Sequence, residues 1–180
     1  MTCRARLPAS TPRRSEGIKR PRPSPEPLIH MPDERPHRGR VDTNILILRR
    51  WIDSAELPAE MAISAITLAE LSAGPHLVRK NDEQGPYEER AERARRVDVL
   101  QRAEAEFDPI AFGADAARAY GQVSAATRAT GPNPGPRVAD LLIASTAIAE
   151  GLPLFTTNPD DFRGLEGLLA VIPVTRPRVR

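Results

Sequence analysis

Three acidic residues, Asp42, Glu70 and Asp140, stand at positions where a chain that alternates strands and helices gathers ligands. Asp42 falls where a short strand hands over to a helix, the carboxyl edge at which parallel sheets collect what they bind. Glu70 falls in the first turn of a predicted helix, and Asp140 in the first turn of the most apolar one. Asn158, Asp160 and Asp161 surround Pro159 in a strand-to-helix turn. Carboxylates brought to hydrogen-bonding separation repel and raise one another's pKa unless a cation neutralises them. A hard divalent ion answers that need, and Mg²⁺ is satisfied by a few carboxylates with waters and phosphate oxygens completing its shell.

Each position also has a local explanation, and taken singly the local one is stronger. Asp42 suits an N-cap. Thr67-Leu-Ala-Glu70 has the spacing of a capping box, which would make Glu70 the N3 partner of Thr67. Asp140 gains from the helix dipole, typically ~0.3–1 kcal/mol, although an acid opening a buried helix must point into something. Asn158 and Asp161 suit Asx-turns and caps. The joint placement is what the local readings leave unexplained, because a parallel α/β fold turns all of these positions toward one crevice.

The elements that must position them read as follows. A strand ends near Asp42, Ile45–Ile52 is a helix, Met61–Ile66 a strand, and a helix starting at Thr67 breaks near Gly74-Pro75. Residues 86–107 form a charged surface helix with Ala94, Val97, Leu100 and Ala103 at helical spacing, and Phe107–Phe112 a short strand. Ala114–Thr130 is a helix presenting Ala117, Tyr120 and Val123, and residues 131–136, with three prolines, are a loop. Val138–Glu150 is a buried helix with Val138, Leu141, Leu142, Ser145 and Ile148 on one side and Gly151 as its C-cap. Leu154–Thr157 is a strand, Asp161–Gly167 a helical turn and Leu169–Val174 the last strand. Alternating β and α segments predict an α/β fold around a mainly parallel sheet.

Composition bounds the function classes. The chain has 180 residues, 40% of them apolar, enough for one domain with a core. Apolar runs such as Ile45–Leu48 fall far short of the roughly 20 residues that span a bilayer, and the proline-rich start has no signal-peptide core. The lone Cys3 makes no internal disulfide and suits a reducing, cytoplasmic setting, and His30, His37 and His76 are too scattered for a metal cluster. The net charge of +2 is uneven: residues 1–40 carry ten Lys or Arg against four Asp or Glu, which leaves sixteen against twenty and a balance of −4 in the remainder. Residues 1–38, rich in Pro and Arg, read as a disordered arm ahead of a domain over 39–176. The arm is either a basic nucleic-acid or membrane-surface arm or a dispensable extension, in which case Met31 or a nearby codon is the natural start.

Four ordered stretches, Val41-Asp-Thr-Asn-Ile45, Ala65-Ile-Thr-Leu-Ala-Glu-Leu-Ser-Ala-Gly74, Val138-Ala-Asp-Leu-Leu-Ile-Ala-Ser-Thr-Ala147 and Leu154-Phe-Thr-Thr-Asn-Pro-Asp-Asp-Phe162, resemble the motifs of PIN-domain ribonucleases, with VapC toxins of bacterial toxin–antitoxin pairs the nearest likeness. The resemblance covers residues 40–174 and implies a three-layer α/β/α fold and Mg²⁺-dependent cleavage of RNA, with Mn²⁺ able to substitute and 5′-phosphate and 3′-hydroxyl ends as products. Carried over, Asp42 and Asp140 bind the metal, Glu70 completes its shell or orients the attacking water, and Thr43, Asn44 and Thr156 hydrogen-bond around it. The fourth acidic position is either Asn158 or Asp161.

The resemblance further implies a small antitoxin that inserts a basic or aromatic segment into the acidic crevice, and a homodimer. Arg49, Arg50, Arg79, Lys80 and Arg137 are candidates for phosphate contacts. Two features depart from the family pattern: the long basic arm, and Arg38-Gly-Arg-Val41 where relatives carry three or four apolar residues, which argues against burial of the first strand. Two other classes compete. A phosphatase-like enzyme with an aspartyl nucleophile needs a second Asp two residues after the first, where this chain has Asn44. A non-catalytic module would hold RNA or protein without cutting anything.

Overall fold

The computed structural model describes residues 35–78, 88–129 and 138–178. The composition-based arm up to residue 34, the proline loop at 131–136, and Arg79, Lys80 and Arg137 lie outside the described residues.

Four short strands, β1 (Arg38–Val41), β2 (Glu60–Ala62), β3 (Leu154–Thr156) and β4 (Val171–Pro173), form a sheet in the order β2-β1-β3-β4. All three pairings are parallel, with Arg40 between Ala62 and Leu154 and Val41 beside Phe155. Helices α1 (Thr43–Leu48), α2 (Ala65–Ala73) and α3 (Glu89–Glu106) cover one face, and α4 (Ala114–Ala129) and α5 (Val138–Glu150) the other. Val41 and Phe155 pack with Ile45, Ile63, Leu71 and Val99 on the first face, while Leu154 packs with Val123, Ile143 and Ala147 on the second. This is the expected three-layer α/β/α arrangement. No helix among the described residues is long and apolar enough to cross a membrane.

The first strand is buried despite its composition, contrary to the expectation from Arg38-Gly-Arg-Val41: Gly39, Arg40 and Val41 are all inside. Glycine is what permits this, because a Cβ at Gly39 would run into the ring of Phe155. The ring fills the volume that a side chain on β1 would otherwise occupy. Arg40 is fully buried with no hydrogen-bond partner for its guanidinium among the described residues. Burial lowers its pKa to about 10, an effect opposed by the charge of Glu150. Arg38 is itself in β1 and pairs with Glu60, so the sheet begins one residue inside the stretch read as arm.

Several elements differ from the sequence-based expectation. The strand expected over Met61–Ile66 ends at Ala62 because Ser64, not Thr67, caps α2: the Ser64 hydroxyl accepts from the Thr67 N–H at 2.9 Å. The helix expected over Ile45–Ile52 becomes the six-residue α1 followed by a 3₁₀ turn at Arg49–Trp51. The strand expected at Phe107–Phe112 is reduced to a single parallel bridge between Ser64 and Ile110.

The buried stripes are also displaced. In α3, Val99 and Ala103 face inward and Ala94 is exposed, because Arg96 turns toward α2 and donates to the Gly74 carbonyl at 2.9 Å. In α4 the small residues Ala116 and Ala119, with Val123, face α5 in place of Ala117 and Tyr120. In α5, Ile143 to Ala147 are buried while Val138 is 63% exposed. The buried hydroxyls of Ser145 and Thr146 bond back to the carbonyls of Leu141 and Leu142 at 2.6 and 2.8 Å. Gly151, at φ 64°, ends α5 as expected, with its N–H on Ile148 and that of Leu152 on Ala147. The turn expected over Asp161–Gly167 starts earlier, as a 3₁₀ segment at Pro159–Phe162.

Candidate active site

β1 runs out at Val41, and Asp42 caps α1 in an extended conformation, its Oδ1 accepting the Thr43 N–H at 2.7 Å. The local reading of Asp42 is therefore correct, but it uses only one of the two oxygens. Oδ2 accepts the hydroxyl of Thr156 at 3.0 Å and the Asn44 amide at 3.4 Å. Thr156 closes β3, the strand beside β1, so the carboxylate is held across the carboxyl edge of two neighbouring strands. Only 3% of Asp42 is exposed. Burial pushes its carboxyl above the ordinary aspartate value; hydrogen bonds from Thr156, Thr43 and Asn44 oppose the rise and the charge of Glu70 adds to it.

Glu70 has lost its local explanation. With Ser64 as the N-cap, Thr67 occupies N3 and Glu70 lies a further turn into α2, out of reach of a capping box. Its Oε2 instead accepts the Thr43 hydroxyl at 2.5 Å. Thr43 thus donates to both acids, with its backbone to Asp42 and its side chain to Glu70. Glu70 Oε1 has no protein partner among the described residues.

Asp140, the third residue of α5, is buried at 8% exposure. α5 descends from the carboxyl edge of the sheet to Gly151 before Pro153 leads into β3, so its start lies at the edge where Asp42 and Thr156 meet. α5 also packs on α2, which carries Glu70.

The two candidates for the fourth position differ in their connections. Asn158 donates its backbone N–H to Thr156 Oγ1 at 3.0 Å, and its Oδ1 accepts Nη1 of Arg176 at 3.0 Å. Asp161 bonds only through its backbone N–H, to the Asn158 carbonyl at 3.2 Å, and its carboxylate engages no side chain among the described residues. One hydrogen-bonded chain therefore runs from Glu70 through Thr43, Asp42, Thr156 and Asn158 to Arg176. Arg176 was not singled out in the sequence. The available signal was positional, since a residue just beyond the last strand of a parallel sheet falls at the carboxyl edge.

Among the described residues no three His, Cys, Asp or Glu side chains are grouped so that together they could hold a metal ion. An oxygen-only donor set with a desolvated carboxylate at its centre fits a hard cation that binds through one or two carboxylates and keeps several waters. Of the basic candidates, Arg49 is ion-paired with Glu106 and Arg50 lies over the Trp51 ring at 3.8 Å. Next to the site, a cleft of about 410 Å³ is lined by Ile47, Leu48, Trp51, Leu71 and Glu70. Trp51 and Ile47 are 39% and 45% exposed there.

Comparison with known proteins bears on this geometry. Residues 41–168 match the model of the PIN domain family. The chain is 30% identical over 139 residues to Ribonuclease VapC5 of Mycobacterium tuberculosis, an overlap of 76% of this chain and 93% of that protein. Among solved structures, VapBC-5 of Mycobacterium tuberculosis, a member of the VapBC family of toxin–antitoxin systems, has a TM-score of 0.61 at 29% identity, covering 76% of this chain and 96% of that one. VapBC2 of Rickettsia felis, bound to a DNA fragment from its promoter, has a TM-score of 0.56 at 26% identity, covering 76% and 98%. The matched span runs from the end of β1 to the turn before β4 and contains Asp42, Glu70, Asp140 and Asp161. This chain belongs to the PIN-domain family, among its VapC-type ribonucleases.

Proposed function

We propose that the protein is a Mg²⁺-dependent endoribonuclease that hydrolyses RNA phosphodiester bonds and acts as the toxin of a cytoplasmic toxin–antitoxin pair. The observation that carries this reading is the Asp42 carboxylate, buried, pushed up in pKa and tied through Thr43 to Glu70. A carboxylate kept in that state is poorly stabilised as an anion by the protein alone, and a divalent cation supplies what is lacking.

Asp42 and Asp140 would hold the ion, with Mn²⁺ able to replace Mg²⁺. When bound, the ion neutralises the carboxylates and stabilises negative charge on the phosphate undergoing attack. The chain's own groups do the rest. Thr156 and Asn44 fix Asp42 Oδ2, so the carboxylate keeps one orientation through turnover. Thr43 fixes Glu70 Oε2 and leaves Oε1 to accept a proton from the attacking water. Asn158 lines the rim beyond Thr156, and Asp161 adds negative charge nearby.

A protein antitoxin is the partner supported by the VapBC neighbours. The cleft beside Glu70 offers such a partner an apolar floor at Trp51 and Ile47, with Glu70 in its wall to receive a basic side chain. A homodimer is proposed from family membership alone, and sedimentation of the purified protein tests it.

The decisive experiment is purified full-length protein incubated with total cellular RNA in Mg²⁺, Mn²⁺ or EDTA, with the ends mapped, beside Asp140→Asn. Cleavage in metal that leaves 5′-phosphates and is lost in EDTA and in Asp140→Asn is the expected result. RNA that is bound but stays intact in metal would instead identify a non-catalytic module.

A further inference from the structure

Nucleic acid approaching this site meets a local concentration of acids, and a domain whose balance over residues 41–180 is −4 offers it little general attraction. A phosphodiester backbone needs a cation placed at the rim to stay near Asp42 and Glu70. Eight of the fifteen arginines among the described residues are ion-paired: Arg38 with Glu60, Arg49 with Glu106, Arg93 with Glu89, Arg95 and Arg96 with Glu92, Arg102 with Asp98, Arg118 with Asp115 and Arg163 with Asp160.

Arg176 is placed differently. It makes no ion pair among the described residues, and its one bond is to the neutral amide oxygen of Asn158. A guanidinium has five N–H donors, so this contact orients the group and leaves its charge and most of its donors available. The backbone that carries it is held on both sides. The Val174 N–H donates to the Thr156 carbonyl at 2.9 Å and the Thr175 N–H to Glu56 Oε2 at 2.7 Å, while Pro177 restricts Arg176 to extended conformations. Arg178 follows as a second exposed cation.

We infer that Arg176, oriented by Asn158 at the rim of the acidic site, is a binding residue for a backbone phosphate of the RNA substrate. The inference rests on the ribonuclease reading above and adds to it the group that holds the polyanion against a site of its own sign. It also gives Asn158 a role that needs no carboxylate at that position, namely to present a cation rather than to ligate one.

The test is kinetic, on the full-length protein. Initial rates of Mg²⁺-dependent cleavage are measured against total-RNA concentration over a series of KCl concentrations for wild type, Arg176→Ala, Arg176→Lys, Asn158→Ala and the remote control Arg118→Ala. Arg176→Ala is expected to raise the apparent KM about five- to tenfold with kcat little changed. The slope of log(kcat/KM) against log[KCl] should become shallower by about 0.7, the value for one phosphate contact on a single strand. Arg176→Lys should restore part of the loss and Arg118→Ala should show none. An unchanged KM and salt slope in Arg176→Ala overturns the inference. So does a fall in kcat alone that Asn158→Ala reproduces, since Arg176 would then act through Asn158 on the acids. Wild-type protein that leaves RNA intact in Mg²⁺ overturns the ribonuclease reading itself, an outcome distinct from either.

Discussion

The hydroxyl of Thr43 donates to Glu70 Oε2 at 2.5 Å across 27 positions of sequence, while the backbone N–H of the same residue donates to Asp42 Oδ1 at 2.7 Å. One small residue, through its backbone on one side and its hydroxyl on the other, therefore links two acids that carry like charge.

Removing that hydroxyl should cost activity far more than stability. Thr43→Val is expected to reduce Mg²⁺-dependent RNA cleavage about 10- to 100-fold, the usual effect of losing a group that orients a metal-binding side chain. Thr43→Ser should keep most of the rate. Single-turnover cleavage beside urea unfolding separates the two effects.

Stability without metal should depend on pH through Asp42. Its carboxyl is pushed above the unfolded value, so the neutral acid is favoured in the fold and ionisation destabilises it. The sign follows: this contribution is fully present below the unfolded pKa and is lost as pH rises through the raised folded value. In EDTA, Asp42→Asn should therefore be more stable than wild type at neutral pH, and the difference should shrink as the buffer is made acidic. Mg²⁺ should raise the melting temperature of wild type and have little effect on Asp42→Asn. Thermal unfolding in EDTA and in Mg²⁺ over a pH series reads both effects.

The two candidates for the fourth position are separable by substitution. The Asn158 side chain holds Arg176 through its Oδ1 while the Asp161 carboxylate engages no side chain among the described residues, so Asn158→Ala should reduce kcat/KM more than Asp161→Asn. Equal losses, or the reverse order, would show that Asp161 supplies the more important group.

Arg40 is a buried cation whose guanidinium has no hydrogen bond among the described residues, where the charge of Glu150 acts in its favour. Arg40→Met keeps the buried stem and removes the desolvated head, and by analogy with buried ions replaced by apolar residues it should be neutral or stabilising by about 1–4 kcal/mol. A clear loss in urea unfolding would mean that the guanidinium is satisfied in solution.

Gly39 is predicted to be intolerant of side chains. Gly39→Val must displace Phe155 from the core and should destabilise by about 1–3 kcal/mol. The double variant Gly39→Val with Phe155→Leu should recover part of that, read again by urea unfolding.

Much of this arrangement was legible in the sequence, for reasons that also mark where reading fails. Asp42, Glu70 and Asp140 stood out because strand ends and helix starts in a parallel fold share an edge, and α5 was bounded correctly because Gly151 ends it in a left-handed turn. The cap of α2 was misplaced because Ser64 and Thr67 are both capping residues three apart, and only the backbone conformation distinguishes them. The inward faces of α3 and α4 were displaced because alanine gives little contrast between faces and because Arg96 is partly buried by its bond to Gly74. The burial of Arg38-Gly-Arg-Val41 was illegible for a different reason: the atom that fills the space above Gly39 belongs to Phe155, far along the chain.

The bond between Thr156 and Asp42 spans 114 positions, and β1 lies between β2 and a strand that is translated near the end of the chain. A ribosome that has made the first two-thirds of this protein has already released Asp42 and Glu70, yet the neighbour that pins the first of them has not been synthesised. Such non-local closure is slow and completes last. The set of bonds that holds Asp42 is thus incomplete until nearly the whole polypeptide exists.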